Sequence, residues 1–471
     1  MHIGHKAPLE HIKFAGHHAA TWQDGKRERS PIPKTVVNLF LAMAAYVSFP
    51  IFHVTIIDVS FSAILFFFIA VNIFMGGHKI WQKDIKKWVF IALAFWMGIF
   101  LSLVVNSIME TKSQIDVFHW RIIIKYIYWM IIFITTIYIV SQADIGPKII
   151  KIFIVMVFVA AVARWGEAII FGRVGAWSGA AVLHQNTYGL MFSRFCPFLM
   201  LPLLSGKGRW LALPMALVVW GAMLINGSRG SFITVPLGIG LMVTLYLISQ
   251  PGRRRALAGI ISTGMLLAIL GAVLLISPAK YSAPVTDRLD TFQNLDRDKT
   301  FGGRIAVARK GWSMFLEAPF FGYGIGTFAK TFVEFELPEQ LEGKTLGAQN
   351  RVASHNVYTT LMGETGLIGV IPFACLILLL VFQGGKATLV LARRGEVWAL
   401  GVYVSFLMMS VHFWAISGLG NTSTWMIYGM VAAIIVLAKK RLPDGEAESG
   451  ARSEGNRAIG RRPGAARYPS S

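Results

Sequence analysis

The sequence of 471 residues contains few charged side chains and very little cysteine. Asp, Glu, Lys and Arg together make up 15% of the chain, against about a quarter in typical soluble domains. The two cysteines, Cys196 and Cys375, both lie in apolar runs and are therefore predicted to be small buried side chains. This composition excludes a disulfide framework and argues against an ordinary soluble enzyme.

Acidic residues are scarcer than basic ones. The chain has 24 Asp and Glu against 45 Lys and Arg, which leaves a formal charge of +21, while 55% of its residues are hydrophobic. In a soluble protein such a basic balance would suggest a nucleic-acid partner. The basic balance and the apolar composition coexist without a nucleic-acid partner if the apolar residues cross a membrane and the basic residues gather at the cytoplasmic ends of the spans.

Long apolar runs supply the membrane spans. A helix needs roughly 20 mostly apolar residues to cross the hydrocarbon core, and several runs here are continuously apolar, which excludes the alternating pattern of barrel strands. The predicted fold is therefore an all-α, polytopic membrane protein with about 12 transmembrane helices. The predicted spans are residues 35–55, 58–77, 88–107, 121–141, 149–170, 187–204, 210–226, 232–249, 256–277, 356–382, 397–416 and 424–438.

The charges between these spans predict their orientation. With the N-terminus in the cytoplasm, the cytoplasmic segments hold 28 Lys and Arg against 10 Asp and Glu. The only Lys and Arg residues in the short outer loops are Lys112, Arg121, Arg173 and Arg229. This is the positive-inside pattern, so both termini are expected in the cytoplasm, and the first span is expected to serve as the insertion signal because residues 1–34 contain no apolar signal core. The basic residues then face anionic membrane lipids, and no nucleic acid is required.

The chain divides into five predicted segments. A long outer domain, almost neutral with ten basic and nine acidic residues, separates the ninth and tenth spans. The segments are a cytoplasmic tail at 1–34, spans one to nine at 35–277, a periplasmic loop domain at 278–355, spans ten to twelve at 356–438, and a disordered basic cytoplasmic tail at 439–471.

Two features stand out in the outer domain. Residues 303–316 carry Ile305, Ala308, Trp312 and Leu316 at helical spacing, which predicts an amphipathic helix lying on the membrane surface. The following segment, PFFGYGIGTF at residues 319–328, has three alternating glycines. Backbone amides there could bind phosphate, but no βαβ unit surrounds them, so a tight aromatic-lined turn is favoured.

Polar residues near the outer ends of the spans are the candidates for chemistry. Arg229 lies in the polar break Asn226–Ser231, NGSRGS, where glycines allow a sharp turn and a guanidinium with free amides would suit a phosphate. The alternative is a short outer turn whose arginine reaches lipid headgroups. His355 precedes the tenth span, and a neutral imidazole there can accept a proton from a hydroxyl, with Glu364 further along the same helix.

A metal site has little support. The sequence contains neither HExxH nor CxxC, so zinc has no ligand set. Asp296 and Asp298 have the spacing that some glycosyltransferases use for a divalent ion, but their surroundings equally predict a solvated charged turn. No metal and no cofactor is therefore expected.

These segments together resemble the O-antigen ligase and O-antigen polymerase superfamily of bacterial envelope glycosyltransferases. The motifs match in order over roughly residues 187–382. They are Asn226–Ser231; Gly303-Arg304 followed by Trp312, Pro319, Gly322, Gly324, Gly326 and Phe328; and Ser354-His355-Asn356 with Tyr358, Glu364, Gly366 and Gly369.

The resemblance implies a metal-independent transferase in the bacterial inner membrane with its active site facing the periplasm. Its donor would be a glycan linked to undecaprenyl diphosphate, and its acceptor lipid A core or a growing glycan. By the same resemblance Arg229 and Arg304 would clamp the diphosphate, and His355 would deprotonate or orient the acceptor hydroxyl. Supporting positions for binding diphosphate or glycan are Arg173, Arg288, Arg309, Asn186 and Glu364.

Three alternatives to O-antigen ligation stay open. A polymerase of O-antigen or exopolysaccharide needs the same donor chemistry, and a protein O-glycan ligase differs only in its acceptor. A secondary transporter for an anionic solute also has many spans and buried arginines. The chain shows no two-half repeat, however, and its polar residues gather at one face rather than at the midplane, which favours an enzyme.

Overall fold

A computed structural model describes twelve stretches of the chain: residues 32–48, 60–61, 63–68, 70–71, 83–109, 117–171, 185–206, 208–249, 264, 299–328, 356–414 and 419–441. Within them 89% of residues are helical and no strand occurs, which confirms the predicted all-α class. The helices are α1 (Lys34–Ser48), α2 (Lys83–Ile108), α3 (Val117–Gln142), α4 (Gly146–Phe171), α5 (Gln185–Ser205), α6 (Arg209–Asn226), α7 (Arg229–Ser249), α8 (Lys299–Glu317), α9 (Val357–Arg393), α10 (Trp398–His412) and α11 (Thr422–Arg441).

Among the described residues, eight helices are long and apolar enough to cross a membrane. They are α2 to α7, α9 and α11, while α1 and α10 are shorter apolar helices. The second predicted span appears only as short helical pieces around residues 63–68, and the ninth, 256–277, lies outside the described residues apart from residue 264. The count of twelve spans therefore stays a prediction.

The end of α9 differs from the prediction. The span predicted to end at residue 382 continues to Arg393. The sequence Gln383-Gly384-Gly385-Lys386, which follows the predicted span, is polar, but its two glycines lie against neighbouring helices. A Cβ on Gly384 would come within 2.6 Å of Val431, and one on Gly385 within 2.8 Å of the Tyr403 hydroxyl. Both glycines thus bring α9 close to α10 and α11.

Side-chain contacts identify the two ends of the helix bundle. At the end that we call the lysine-rich end, Lys439 pairs with Asp84 at 2.5 Å and Lys87 donates to Gln383 at 2.9 Å. At the other end, which contains residues 226–231 and is called the NGSRGS end, the amide of Val357 donates to the Phe413 carbonyl at 3.0 Å. The start of α2 and the ends of α9 and α11 therefore lie at the same end of the bundle, as alternating spans require.

The core extends over most of the described helices, and an aromatic cluster within it joins α2, α3 and α11. Trp425 of α11 stacks on Phe95 and Trp129, with ring centroids 5.8 and 6.4 Å apart. Large apolar side chains such as Phe90 and Phe382 are exposed on the outside of the bundle, where a membrane would cover them. Cys196 is buried as predicted, whereas Cys375 is exposed, because its position on α9 belongs to the outward face.

The predicted helix at residues 303–316 is confirmed as part of α8, while its location on the membrane surface stays a prediction. Its buried face is formed by Val307, Lys310 and Met314, and Gly311 approaches α9 so closely that a Cβ would lie 2.7 Å from the Thr359 carbonyl oxygen. The predicted apolar stripe lies on another face and is open: Ile305, Trp312 and Leu316 are all exposed. One face of α8 therefore holds the helix on the bundle, and its apolar stripe is directed outward.

Candidate functional site

Helix α9 is broken near its N-terminal end. Gly366 has φ 57° and ψ −159°, a conformation that only glycine adopts readily. The break leaves carbonyl and amide groups on both sides without partners inside the helix. A short helical segment at 357–365 is thereby separated from the long segment at 367–393.

The glycine-rich turn at 319–328 supplies the missing partners. The amides of Tyr323 and Gly324 donate to the carbonyls of Gly363 and Glu364 at 3.0 and 2.8 Å. In return, the amide of Leu367 donates to the Pro319 carbonyl at 2.8 Å. These amides are therefore used within the protein, which confirms a tight turn and speaks against a phosphate loop at this segment.

Glu364 lies at the junction of the turn and the break. Its side chain is buried, and its Oε1 accepts a hydrogen bond from the Phe328 amide at 3.0 Å. It borders a cavity of about 210 Å³ lined also by Tyr126, Val357, Thr360, Leu361, Leu419 and Gly420. The carboxylate thus fastens the turn to α9 beside a cavity at the start of that helix.

The NGSRGS turn is folded into the bundle. Gly227 ends α6 with φ 68°, and its amide donates to the Leu224 carbonyl at 3.3 Å. Ser228 and Ser231 are buried, and the Ser231 hydroxyl donates to the Ser228 carbonyl at 2.8 Å. Helix α7 begins at Arg229, whose side chain lies outside the described part of the structure. The turn therefore sets the start of α7 at a buried position at this end of the bundle.

A buried ion pair lies next to the end of α6, which precedes the NGSRGS turn. Arg164 of α4 pairs with Glu167 at 3.1 Å and also donates to the Ile225 carbonyl at 3.4 Å. The Tyr188 hydroxyl donates to the same carboxylate at 3.3 Å. Charge within the membrane is tolerated where it is paired in this way, and the contacts fix the end of α6 relative to α4 and α5.

His412, at the end of α10, is a site residue that the sequence reasoning missed. It is buried, and its Nδ1 lies 2.7 Å from the Ser193 hydroxyl of α5. The Ser193 hydroxyl lies 2.5 Å from that of Thr234, which donates to the Gly230 carbonyl at 2.7 Å. Gly230 itself is so close to the ring that a Cβ would lie 2.5 Å from Nε2. The signal was available, since a histidine inside a predicted span is a functional candidate at membrane depth.

The other two motif clusters also reach His412. Arg304 of α8 is half-buried and interacts electrostatically with the imidazole. Asn356 caps α9, its Oδ1 accepting from the amides of Tyr358 and Thr359 at 3.0 and 3.2 Å. The next residue, Val357, donates to the carbonyl of Phe413, the neighbour of His412. The NGSRGS turn therefore contacts the buried His412, the start of α9 bonds to its neighbour Phe413, and Arg304 acts on the ring through its charge.

The structure describes two of the remaining predicted site residues. Asn186 is half-buried in the first turn of α5, and Arg309 is exposed on α8. His355, Arg173 and Arg288 lie outside the described residues, as do Asp296 and Asp298. In the part of the chain that the structure describes, no three His, Cys, Asp or Glu side chains come together as a metal site would require.

Comparison with known protein families gives a match to part of the chain. Residues 213–374 match the family model described as O-Antigen ligase. This match confirms the resemblance to the O-antigen ligase and polymerase superfamily. A search of the curated proteins found no match.

The matched segment, residues 213–374, runs from α6 to α9. It therefore contains the NGSRGS turn, α8 with Arg304, the glycine-rich turn and Glu364. His412 and Ser193 lie outside it in the sequence but contact it in the structure. The family match and the apolar helices together indicate a multi-pass membrane enzyme of the O-antigen ligase or polymerase type.

Proposed function

We propose that the protein transfers a glycan from undecaprenyl diphosphate to an acceptor hydroxyl at the periplasmic face of the bacterial inner membrane. Ligation of O-antigen onto lipid A core is the preferred reaction. The observation that carries this proposal is the convergence on His412 of the NGSRGS turn, Arg304 and the start of α9. A one-sided cluster of polar groups at a membrane surface suits a transferase that works on two lipid-linked substrates there.

The proposed chemistry is a single displacement at the anomeric carbon. The acceptor oxygen forms a bond to C1, the bond from C1 to the diphosphate oxygen breaks, and undecaprenyl diphosphate leaves. Negative charge grows on the leaving diphosphate, and arginine stabilises it with a fixed cation of forked geometry. Arg229 and Arg304 take this role, and His355 accepts the proton of the acceptor hydroxyl.

His412 acts in this scheme as a positioning residue. Its ring lies against Gly230, the residue after Arg229, and interacts with Arg304. An imidazole held by Ser193 and Thr234 therefore sets the spacing between the two arginine-bearing elements. Arg173, Arg288, Arg309 and Asn186 are proposed as further contacts to diphosphate or glycan, and Glu364 as the group that holds α9.

Reconstitution tests the proposal directly. Purified protein in liposomes is mixed with an undecaprenyl-diphosphate-linked glycan and lipid A core, and the product is followed by gel electrophoresis. We expect transfer without nucleotide, its loss in His355→Ala with donor binding retained, and a strong loss in Arg229→Lys, because an ammonium keeps the charge without the fork. Arg209→Lys, at the lysine-rich end, is the matched control. Uptake of a solute without any transfer would instead support a transporter.

The polymerase alternative uses the same groups and differs in its product. Deletion of the gene separates the two. Loss of polymer from the core with lipid-linked polymer retained supports the ligase, whereas a core capped by a single repeat unit supports the polymerase. A protein O-glycan ligase would leave both lipopolysaccharide patterns unchanged.

A further inference from the structure

Arg194 is a buried cation that the proposed transfer does not use. It lies in the middle of α5, and only 4% of its surface is exposed. Its guanidinium donates to the hydroxyls of Ser423 and Thr424 in the first turn of α11, the second at 3.0 Å. Both acceptors are neutral, and Nε has no hydrogen-bond partner.

No carboxylate among the described residues forms an ion pair with Arg194. The contrast with Arg164 is direct, since that arginine, equally buried, pairs with Glu167 at 3.1 Å. Burial of a charge without a counter-charge is strongly unfavourable, and proteins normally avoid it by pairing. The arrangement around Arg194 therefore suits an anion that comes from outside the described chain.

A cavity adjoins the guanidinium. Its walls combine polar and apolar side chains, and the space that the centre of a water-sized molecule can occupy is small, about 20 Å³. Its polar walls are Ser48, Thr187, Asn421 and Ser423, with Arg194 itself. Hydroxyl and amide donors around one guanidinium form the kind of donor set that binds the oxygens of a phosphate group.

The position of the cavity in the bundle also fits an anion. Ser48 ends α1, Thr187 is in the first turn of α5, and Asn421 precedes α11, all at the NGSRGS end. Phosphate groups of a bilayer lie at the ends of membrane-spanning helices. The start of α11 adds the positive end of a helix dipole, which favours an anion further.

We propose that Arg194, with the first turn of α11, forms a binding site for one phosphate group. This site goes beyond the proposed function, since neither the donor clamp nor the proton transfer needs it. The phosphate belongs to an anionic lipid headgroup or is a free phosphate ion, and the two sources share the chemistry that Arg194 recognises. Arg194 also interacts electrostatically with His412, whose ring contacts the preceding residue, Ser193.

Thermal unfolding of the full-length protein tests the site independently of any transfer. One arm adds inorganic phosphate to protein in neutral detergent, against sodium gluconate of equal ionic strength. The other compares nanodiscs of phosphatidylcholine with nanodiscs that also contain phosphatidylglycerol. We expect the melting temperature to rise by about 3 °C in at least one arm, and the arm that responds identifies the source.

Substitutions connect this rise to Arg194. Arg194→Gln should abolish it, while Arg209→Gln, a half-exposed arginine at the lysine-rich end, should keep it. If Arg194→Gln does not fold, Thr187→Val replaces a cavity wall by an isosteric apolar one and should reduce the rise by more than half. An equal rise in wild type and in the variants, or no rise in either arm, would overturn the proposal.

Discussion

The amide of Phe328 donates a hydrogen bond of 3.0 Å to the carboxylate of Glu364, and both residues are buried. This contact joins the end of the glycine-rich turn to the broken start of α9. The Ser102 hydroxyl of α2 donates at 3.0 Å to the carbonyl of the same glutamate. Glu364 is therefore held at two points, its side chain by the Phe328 amide and its backbone carbonyl by Ser102.

Two replacements of Glu364 distinguish the hydrogen bond that its side chain accepts from the negative charge that it carries. Glu364→Gln keeps an oxygen that can accept from the Phe328 amide, so we expect only a small loss of stability. Glu364→Ala leaves that amide buried without an acceptor, which should lower the free energy of unfolding by about 1–3 kcal/mol. Urea unfolding in detergent measures both. Equal stabilities of the two variants would contradict the role of the hydrogen bond.

The break in α9 should depend on Gly366. A Cβ there would lie 2.6 Å from the backbone of Phe320, and the residue has φ 57°, so Gly366→Ala should lower the melting temperature clearly. Gly240→Ala on α7 is the matched control, because nothing lies within 4 Å of its added Cβ. That variant should be neutral or slightly stabilising. Differential scanning fluorimetry compares them, and similar melting temperatures would refute the prediction.

The contact between Gly230 and His412 should matter for transfer. Gly230→Ala places a methyl group 2.5 Å from Nε2 and should displace the start of α7, so we expect turnover to fall by about tenfold or more. His412→Ala removes the ring and should rescue part of the activity when combined with Gly230→Ala. Initial rates of the four proteins form a double-mutant cycle. Strict additivity of the two effects would show that the residues are not coupled.

Chelation should leave the proposed reaction intact. The clamp consists of arginines, and no metal is expected from the sequence, so transfer should continue at an unchanged rate in EDTA. The rate with and without EDTA, followed in the reconstituted system, checks this. Complete loss of activity that added Mg²⁺ or Mn²⁺ restores would return attention to Asp296 and Asp298.

Much of the helical architecture was predictable because apolar runs of sufficient length have few alternatives in a membrane. The limits of α4 and α6 lie within a few residues of their predicted spans. The break at Gly366 was not predictable, because the sequence around it is apolar enough for a continuous span. The glycine-rich turn that stabilises the break lies some forty residues earlier in the chain, and a local pattern contains no information about that pairing.

Part of the candidate site could be predicted from the sequence, and part of it could not. Arg304 acts on His412 through its charge and Gly230 lies against the same ring, whereas the joint role of Arg229 and Arg304 in binding diphosphate stays a prediction. His412 itself was missed because a neutral histidine does not enter a charge count, and one polar residue in an apolar run changes its hydropathy little. Only the three-dimensional packing of α5, α7 and α10 reveals that its ring has polar neighbours on both sides.

The hydrogen bonds between the glycine-rich turn and α9 also bear on the length of chain between residues 328 and 356. Phe328 is fastened to Glu364, which lies about 12 Å along the helix from Asn356. Phe328 and Asn356, which bound residues 329–355 in the chain, therefore lie at neighbouring points of the bundle. Insertions or deletions between these points need not alter the helix bundle.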